Sequence, residues 1–139
     1  MSTRSRIGIL NPDATITSVY CHNDGYVEGV GTALTTHYTN EAKIRALIAL
    51  GDLSSVGPLV TPPKGVKHRF DDAACGVTVA YGRDRSEKDV SARTDKDFGE
   101  FIKEPEEYTY LWNGHEWLAW RGNTQLNMPV ELVTVRLAS

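Results

Sequence analysis

The stretch Tyr20-Cys21-His22-Asn23-Asp24-Gly25-Tyr26-Val27-Glu28-Gly29-Val30-Gly31 decides how the chain is read. It leaves a strand-like run at 20–22, turns through Asn23, Asp24 and Gly25, and enters a helix-like run near Glu28 or Gly29. A bend of this kind projects side chains from a rigid scaffold, which is where sites tend to form. Three readings are open. In the first, Gly25, Gly29 and Gly31 only permit a tight turn and close helix packing, with Asp24 capping the turn through its own side chain. In the second, the backbone N–H groups of the bend join Arg4 and Arg6 as a cradle for an anionic group, and Tyr20 or Tyr26 stacks on a base. Asp24 and Glu28 weigh against a bare phosphate there unless they point away. The third makes His22, Asp24, Glu28 and His37 metal ligands or acid–base groups, although no HExxH-like or paired-histidine spacing supports it.

Upstream of the bend, residues 4–10 and 15–22 are rich in Ile, Val, Thr and Tyr and are separated by Asn11-Pro12-Asp13-Ala14. This predicts a hairpin with a three-residue loop, a type I turn followed by a left-handed residue at Ala14. Loop length sets register. Ile7 then faces Val19 and Ser5 faces Cys21 on an apolar side, while Arg6 faces Tyr20 and Arg4 faces His22 on the other. Downstream, Val30, Ala33, Leu34, His37 and Tyr38 recur at helical spacing. Thr39 or Asn40 reads as the N-cap of a second helix with the stripe Ala42, Ile44, Leu47, Ile48 and Leu50, closed by Gly51. The pair is expected to lie across the apolar side of the sheet.

The remainder is read more coarsely. Residues 52–69 have the composition of a surface connection. Residues 76–83 alternate as a third strand, so that Arg83 and Arg85 at its end point to one side and hold a carboxylate or phosphate. The competing reading of Arg83-Asp84-Arg85 is a solvated loop with local ion pairs. Residues 84–97 read as a flexible charged loop, and Phe98, Phe101 and Ile102 suggest a short amphipathic helix. Asn113-Gly114 marks a two-residue hairpin turn pairing Trp112 with His115, Tyr110 with Trp117 and Tyr108 with Ala119, with Leu111, Leu118 and Trp120 on the opposite face. Tyr108, Tyr110, Trp112, Trp117 and Trp120 pack a core, stack a ligand or form a subunit contact, which would make the chain a homo-oligomer. Residues 130–137 read as a last strand. The fold class expected is α+β, a single domain over 1–139 with an antiparallel sheet built from hairpins and a pair of helices on one face.

Composition removes some functions. A chain of 139 residues with 40% hydrophobic and 24% charged residues supports one core, and its net charge of -3 offers no basic stripe for bulk nucleic acid. No apolar run approaches a membrane span and the amino terminus lacks the apolar stretch of a signal peptide, so a cytoplasmic protein is expected. Cys21 and Cys75 form no CxxC pair and read as reduced structural thiols. Nucleophile-elbow, catalytic-cysteine and P-loop motifs are absent from the sequence, so no catalytic residue, cofactor or metal is assigned.

Met1-Ser2-Thr3-Arg4-Ser5, Tyr20-Cys21-His22, Asp24-Gly25-Tyr26, Gly29-Val30-Gly31, His37-Tyr38, Leu47-Ile48-Ala49-Leu50-Gly51-Asp52-Leu53-Ser54 and Tyr81-Gly82-Arg83-Asp84-Arg85 together resemble a widespread family of small bacteriophage proteins. The likeness covers the first 85 residues, and the Asn-Gly hairpin resembles the family more loosely. Asn23 stands where many relatives carry an aromatic residue, and Ala14 where many carry glycine. The family brings no catalytic residues to carry over. The resemblance implies a viral accessory protein in the host bacterial cytoplasm, of a kind that often counters host defence by blocking an immune protein or sequestering a nucleotide signal. The expected contact surface is Arg4, Arg6, Tyr20, His22, Asp24 and Tyr26 with Arg83 and Arg85 nearby, taking a small anionic, nucleotide-like ligand or a host defence protein. The alternative is a small hydrolase or transferase with His22 and Asp24 as acid–base groups.

Overall fold

The structure is a computed structural model, described over residues 2–126; the strand expected over 130–137 lies outside the described residues. β1 (Ser5–Leu10) and β2 (Ile16–Cys21) form the opening hairpin in the expected register, with Ser5 opposite Cys21, Arg6 opposite Tyr20 and Ile7 opposite Val19. Ala14 takes the left-handed conformation at φ 71°, and Asn11 closes the loop by accepting from the Ala14 amide and donating to the Thr15 carbonyl. The chain then makes a π turn at Val27–Gly31, followed by α1 (Thr32–His37) and α2 (Glu41–Ala49). The Asn40 side chain caps α2 by accepting from the Lys43 amide, and Gly51 lies just past its end at φ 81°. Val30, Leu34, Tyr38, Ile44, Leu47 and Ile48 are buried against Ile7, Ile9, Val19 and Cys21. Of the expected apolar positions, His37 and Ala42 are exposed.

After α2 come β3 (Leu53–Ser55), β4 (Val79–Ala80), α3 (Tyr81–Arg85), β5 (Arg93–Asp95), α4 (Phe98–Phe101), β6 (Tyr108–Trp112), β7 (Trp117–Arg121) and β8 (Thr124–Leu126). Among the described residues the strands form one sheet in the order β4-β3-β2-β1-β6-β7-β8, with β5 on the far end of β2. The fold is α+β, and its hairpins are antiparallel. Joining them makes the sheet mixed, because β1 runs parallel to β6 and β2 parallel to β3. No described helix is long and apolar enough to cross a membrane.

Three sequence readings are corrected. The third strand is only Val79–Ala80; from Tyr81 the chain turns into helix, because the Asp84 carboxylate reaches back to the Ala80 amide at 2.8 Å. The run 84–97 contains β5, paired to Ile16, Thr17 and Ser18. In the late hairpin Trp112 pairs with Trp117, Tyr110 with Ala119 and Tyr108 with Arg121. Asn113 Oδ1 accepts from both the His115 and Glu116 amides at 2.9 Å, which moves the bend onto Gly114 and His115. The shift is by two residues, so every side chain keeps its face. Tyr110, Trp112, Trp117 and Trp120 all pack in the chain's own core.

The second face of the sheet is not wholly polar. α4 lays Phe101 over Ile16, Leu111 and Trp120; farther along the same face Ser18 is buried and Arg6 and Tyr20 are half-buried.

The glycine bend is a packing device. A Cβ at Gly25 would stand 2.7 Å from Ser5 Cβ and 2.8 Å from the Thr3 carbonyl, and one at Gly29 would overlap the Asp24 carbonyl. Tyr110, deep in the core, donates to the Gly25 carbonyl at 2.7 Å. Gly25→Ala is therefore expected to lower stability by about 2 kcal/mol in denaturant unfolding, since backbone must move. Gly99→Ala, in α4 with only the Asp97 carboxylate 3.4 Å away, is expected to raise it by roughly 0.5 kcal/mol.

Candidate functional site

Alternation along the ribbon places Arg4, Arg6, Tyr20 and His22 on the face opposite the main core. The Tyr20 hydroxyl and His22 Nδ1 are 2.7 Å apart. Burial pushes the Tyr20 phenol up, with Arg4 opposing and Glu106 and Tyr81 adding to it, so the hydroxyl keeps its proton at neutral pH. Arg6 Nη1 donates to Ser18 Oγ at 3.0 Å. Burial and Arg93 push the Arg6 guanidinium down, while Asp52, Glu106 and Asp95 favour its charge. The Tyr20 amide donates to Asp52 Oδ1 at 2.9 Å, which ties the ribbon to the end of α2.

The expected Arg83–Arg85 pair is not formed. Those residues lie on a turn of helix, where the pair sharing a side is Tyr81 and Arg85, four apart. Tyr81 and Arg85 line an open cleft of about 490 Å³ with Tyr20, Asp52 and the segment 87–90. The Arg85 guanidinium lies over the rings of Phe70 at 4.6 Å and Tyr81 at 5.0 Å and is paired with Glu87. Arg83 is turned to the protein. It grips Asp84 through Nε at 2.8 Å and Nη2 at 3.1 Å, and donates to the carbonyls of Val60 at 2.6 Å and Thr78 at 2.7 Å. Its donors are engaged within the fold.

Asp24 and Tyr26 sit at the bend, the Tyr26 hydroxyl donating to Asp24 Oδ1 at 3.2 Å. Six of the amides that an anion cradle there would draw on are engaged by the chain itself. The amides of His22, Asn23, Gly25, Gly29, Val30 and Gly31 donate to the carbonyls of Leu53, Ser54, Thr3, Tyr26, Asp24 and Tyr26 respectively. His22 bonds Tyr20 and Asp24 bonds Tyr26, so the acid–base pair considered for a hydrolase is not joined by a hydrogen bond. Among the described residues no three His, Cys, Asp or Glu side chains converge as a metal would require. Cys21 is buried and its thiol is pushed up to about 12 by burial, an inert group; Cys75 is exposed.

Sequence reasoning missed Tyr81, Asp52 and Lys88 in the cleft and His68 behind it. The spacing of Tyr81 and Arg85 would have found the first, had residues 81–85 been read as helix. His68 carried no signal, because its partner is distant in the chain. Its Nε2 donates to Asp84 Oδ2 at 3.1 Å, and the two side chains are only 3% and 5% exposed.

Asp84 is thus a buried carboxylate with His68, Arg83 and the Ala80 amide around it. Burial pushes it up, but the Arg83 guanidinium, the Ala80 amide and His68 outweigh that and hold it below its ordinary 3.8. A carboxylate depressed in the folded state contributes stability above its unfolded value, and loses it as pH falls through the lower folded value. Asp84→Asn is expected to cost about 3 kcal/mol at pH 7, as for one partner removed from a buried pair, and to flatten the fall in stability below roughly pH 4 in pH-dependent unfolding.

The chain matches no family model, and no curated protein or solved structure matches it.

Proposed function

We propose that this chain is a non-enzymatic binding protein, a phage accessory factor acting in the host bacterial cytoplasm, which blocks a host protein such as a component of immunity. The observation that carries the reading is that Tyr20, bonded to His22 and in the field of Arg4, shares an open cleft with Tyr81 and Arg85. Tyrosine and arginine are among the side chains that most often dominate protein contacts, tyrosine because it buries large area with few rotatable bonds and keeps a polar tip, arginine because its planar guanidinium stacks and donates several hydrogen bonds at once. The charge on this surface is mixed. Arg85 is paired with Glu87, Arg6 lies among Asp52, Glu106 and Asp95, and Asp52 and Asp89 line the cleft beside Lys88. Such a balance suits a protein surface with charges of both signs better than a free polyanion. The viral and cytoplasmic setting, and the defence target, come from the sequence resemblance.

A second reading keeps the nucleotide-like ligand. It is favoured by the cleft of about 490 Å³ beside Tyr20, Tyr81, Arg85 and Lys88, within the ordinary range for a small-molecule site.

Tagged protein expressed in the host is expected to retain one host protein in fixed stoichiometry by native mass spectrometry. The double substitution Arg4→Glu with Arg85→Glu is expected to weaken that association at least a hundredfold while the protein stays folded. Retention undiminished in the double variant would remove this face from the contact. For the second reading, calorimetry against cyclic and ADP-ribose-type nucleotides decides, since no heat with any of them eliminates it.

A further inference from the structure

α3 is barely more than one turn, too short to persist by its own hydrogen bonds, and no side chain of its N-cap residue Ala80 holds its start. What holds it is the Asp84 carboxylate. Oδ2 accepts from the Ala80 amide at 2.8 Å, from His68 Nε2 at 3.1 Å and from Arg83 Nη2 at 3.1 Å. His68 lies 16 residues earlier, in the long connection between β3 and β4. The tautomer of its ring is set by the other nitrogen. Nδ1 is 3.0 Å from the Ala74 amide, a donor, so Nδ1 accepts and the proton resides on Nε2, aimed at Asp84.

His68 therefore has two separable bonds, one shaping its own segment through Ala74 and one acting on α3 through Asp84. We propose that His68 is a positioning residue for the recognition pair Tyr81 and Arg85. By holding Oδ2 of Asp84 toward the Ala80 amide, it fixes the turn of helix from which both side chains project into the cleft. Without that donor the carboxylate swings to the Arg83 guanidinium alone, the Ala80 amide loses its acceptor, and the first turn of α3 loosens. Tyr81 and Arg85 then lose the shared orientation that stacks the guanidinium on the rings of Phe70 and Tyr81. This rests on the reading of Tyr81 and Arg85 as part of the recognition face, but its test needs no partner.

The Arg85 side-chain protons lie over two aromatic faces and carry an upfield ring-current displacement readable by NMR. His68→Gln keeps an N–H donor at the reach of Nε2, whereas His68→Asn keeps an acceptor at the place of Nδ1 and does not reach Asp84. The expected result is that His68→Gln retains the displacement and His68→Asn loses at least half of it, with the β1 and β2 amides equally protected from exchange in both. A role confined to anchoring the segment would give the reverse order. Displacement kept in His68→Asn, or lost in His68→Gln, overturns the proposal. Should His68→Asn fail to fold, His68→Gln alone decides, retention supporting the proposal and loss overturning it. Failure to retain a host protein would leave this result standing, and a lost displacement would leave the contact surface to be tested separately.

Discussion

A left-handed residue at Ala14 keeps the first hairpin loop at three residues, and every other strand takes its place from that ribbon. β1 pairs with β6, while β2 pairs with β3 at one end and β5 at the other. Because side chains alternate with a period of two, a loop longer by one residue would rotate Ile7, Val19 and Cys21 out of the core and bring Arg6 and Tyr20 into it. Burial of a single guanidinium without partners would outweigh the gain from any one apolar contact. The cost of an L residue in the left-handed region, on the order of 1 kcal/mol, is small beside that.

The ribbon's end is locked by close approach rather than by propensity. Gly25 lets the backbone of the bend touch that of residues 3–5, and the Tyr110 hydroxyl, from the far hairpin, donates to the Gly25 carbonyl in the dry core, where neither group meets water. The glycine-rich stretch, which on sequence alone fits a ligand cradle equally well, is thereby committed to structure. Six of its amides, those of His22, Asn23, Gly25, Gly29, Val30 and Gly31, bond carbonyls of the chain itself.

The second organising group is Asp84. In a strand, Arg83 and Arg85 would flank it on one side; in a helix, Asp84 points inward and Tyr81 and Arg85 share the outer face. Which of these forms depends on whether the carboxylate meets solvent or finds the Ala80 amide and a histidine from residue 68. The buried bonds win because each is made in a site shielded from water, where a charge-assisted hydrogen bond is worth more than a surface pair.

Read alone, the sequence determined the features set by neighbours a few residues apart: the opening ribbon and its register, a cap at Thr39 or Asn40 and the stripe of α2, the end of that helix at Gly51, and the segregation of Arg4, Arg6, Tyr20 and His22. It also sorted the late hairpin's faces correctly while placing its turn one residue early and its pairing two residues out of register, since the Asn113 side chain can replace a main-chain acceptor and alternation cannot sense a shift of two. Tertiary structure alone decided the parallel union of the two hairpins, the short strands β3, β5 and β8, the helical turn at Tyr81–Arg85 and the pairing of His68 with Asp84. The physical reason is common to all of them. Short strands and single helical turns are too weak to exist by local preference, and they form only where a distant partner, brought by the rest of the fold, satisfies their hydrogen bonds.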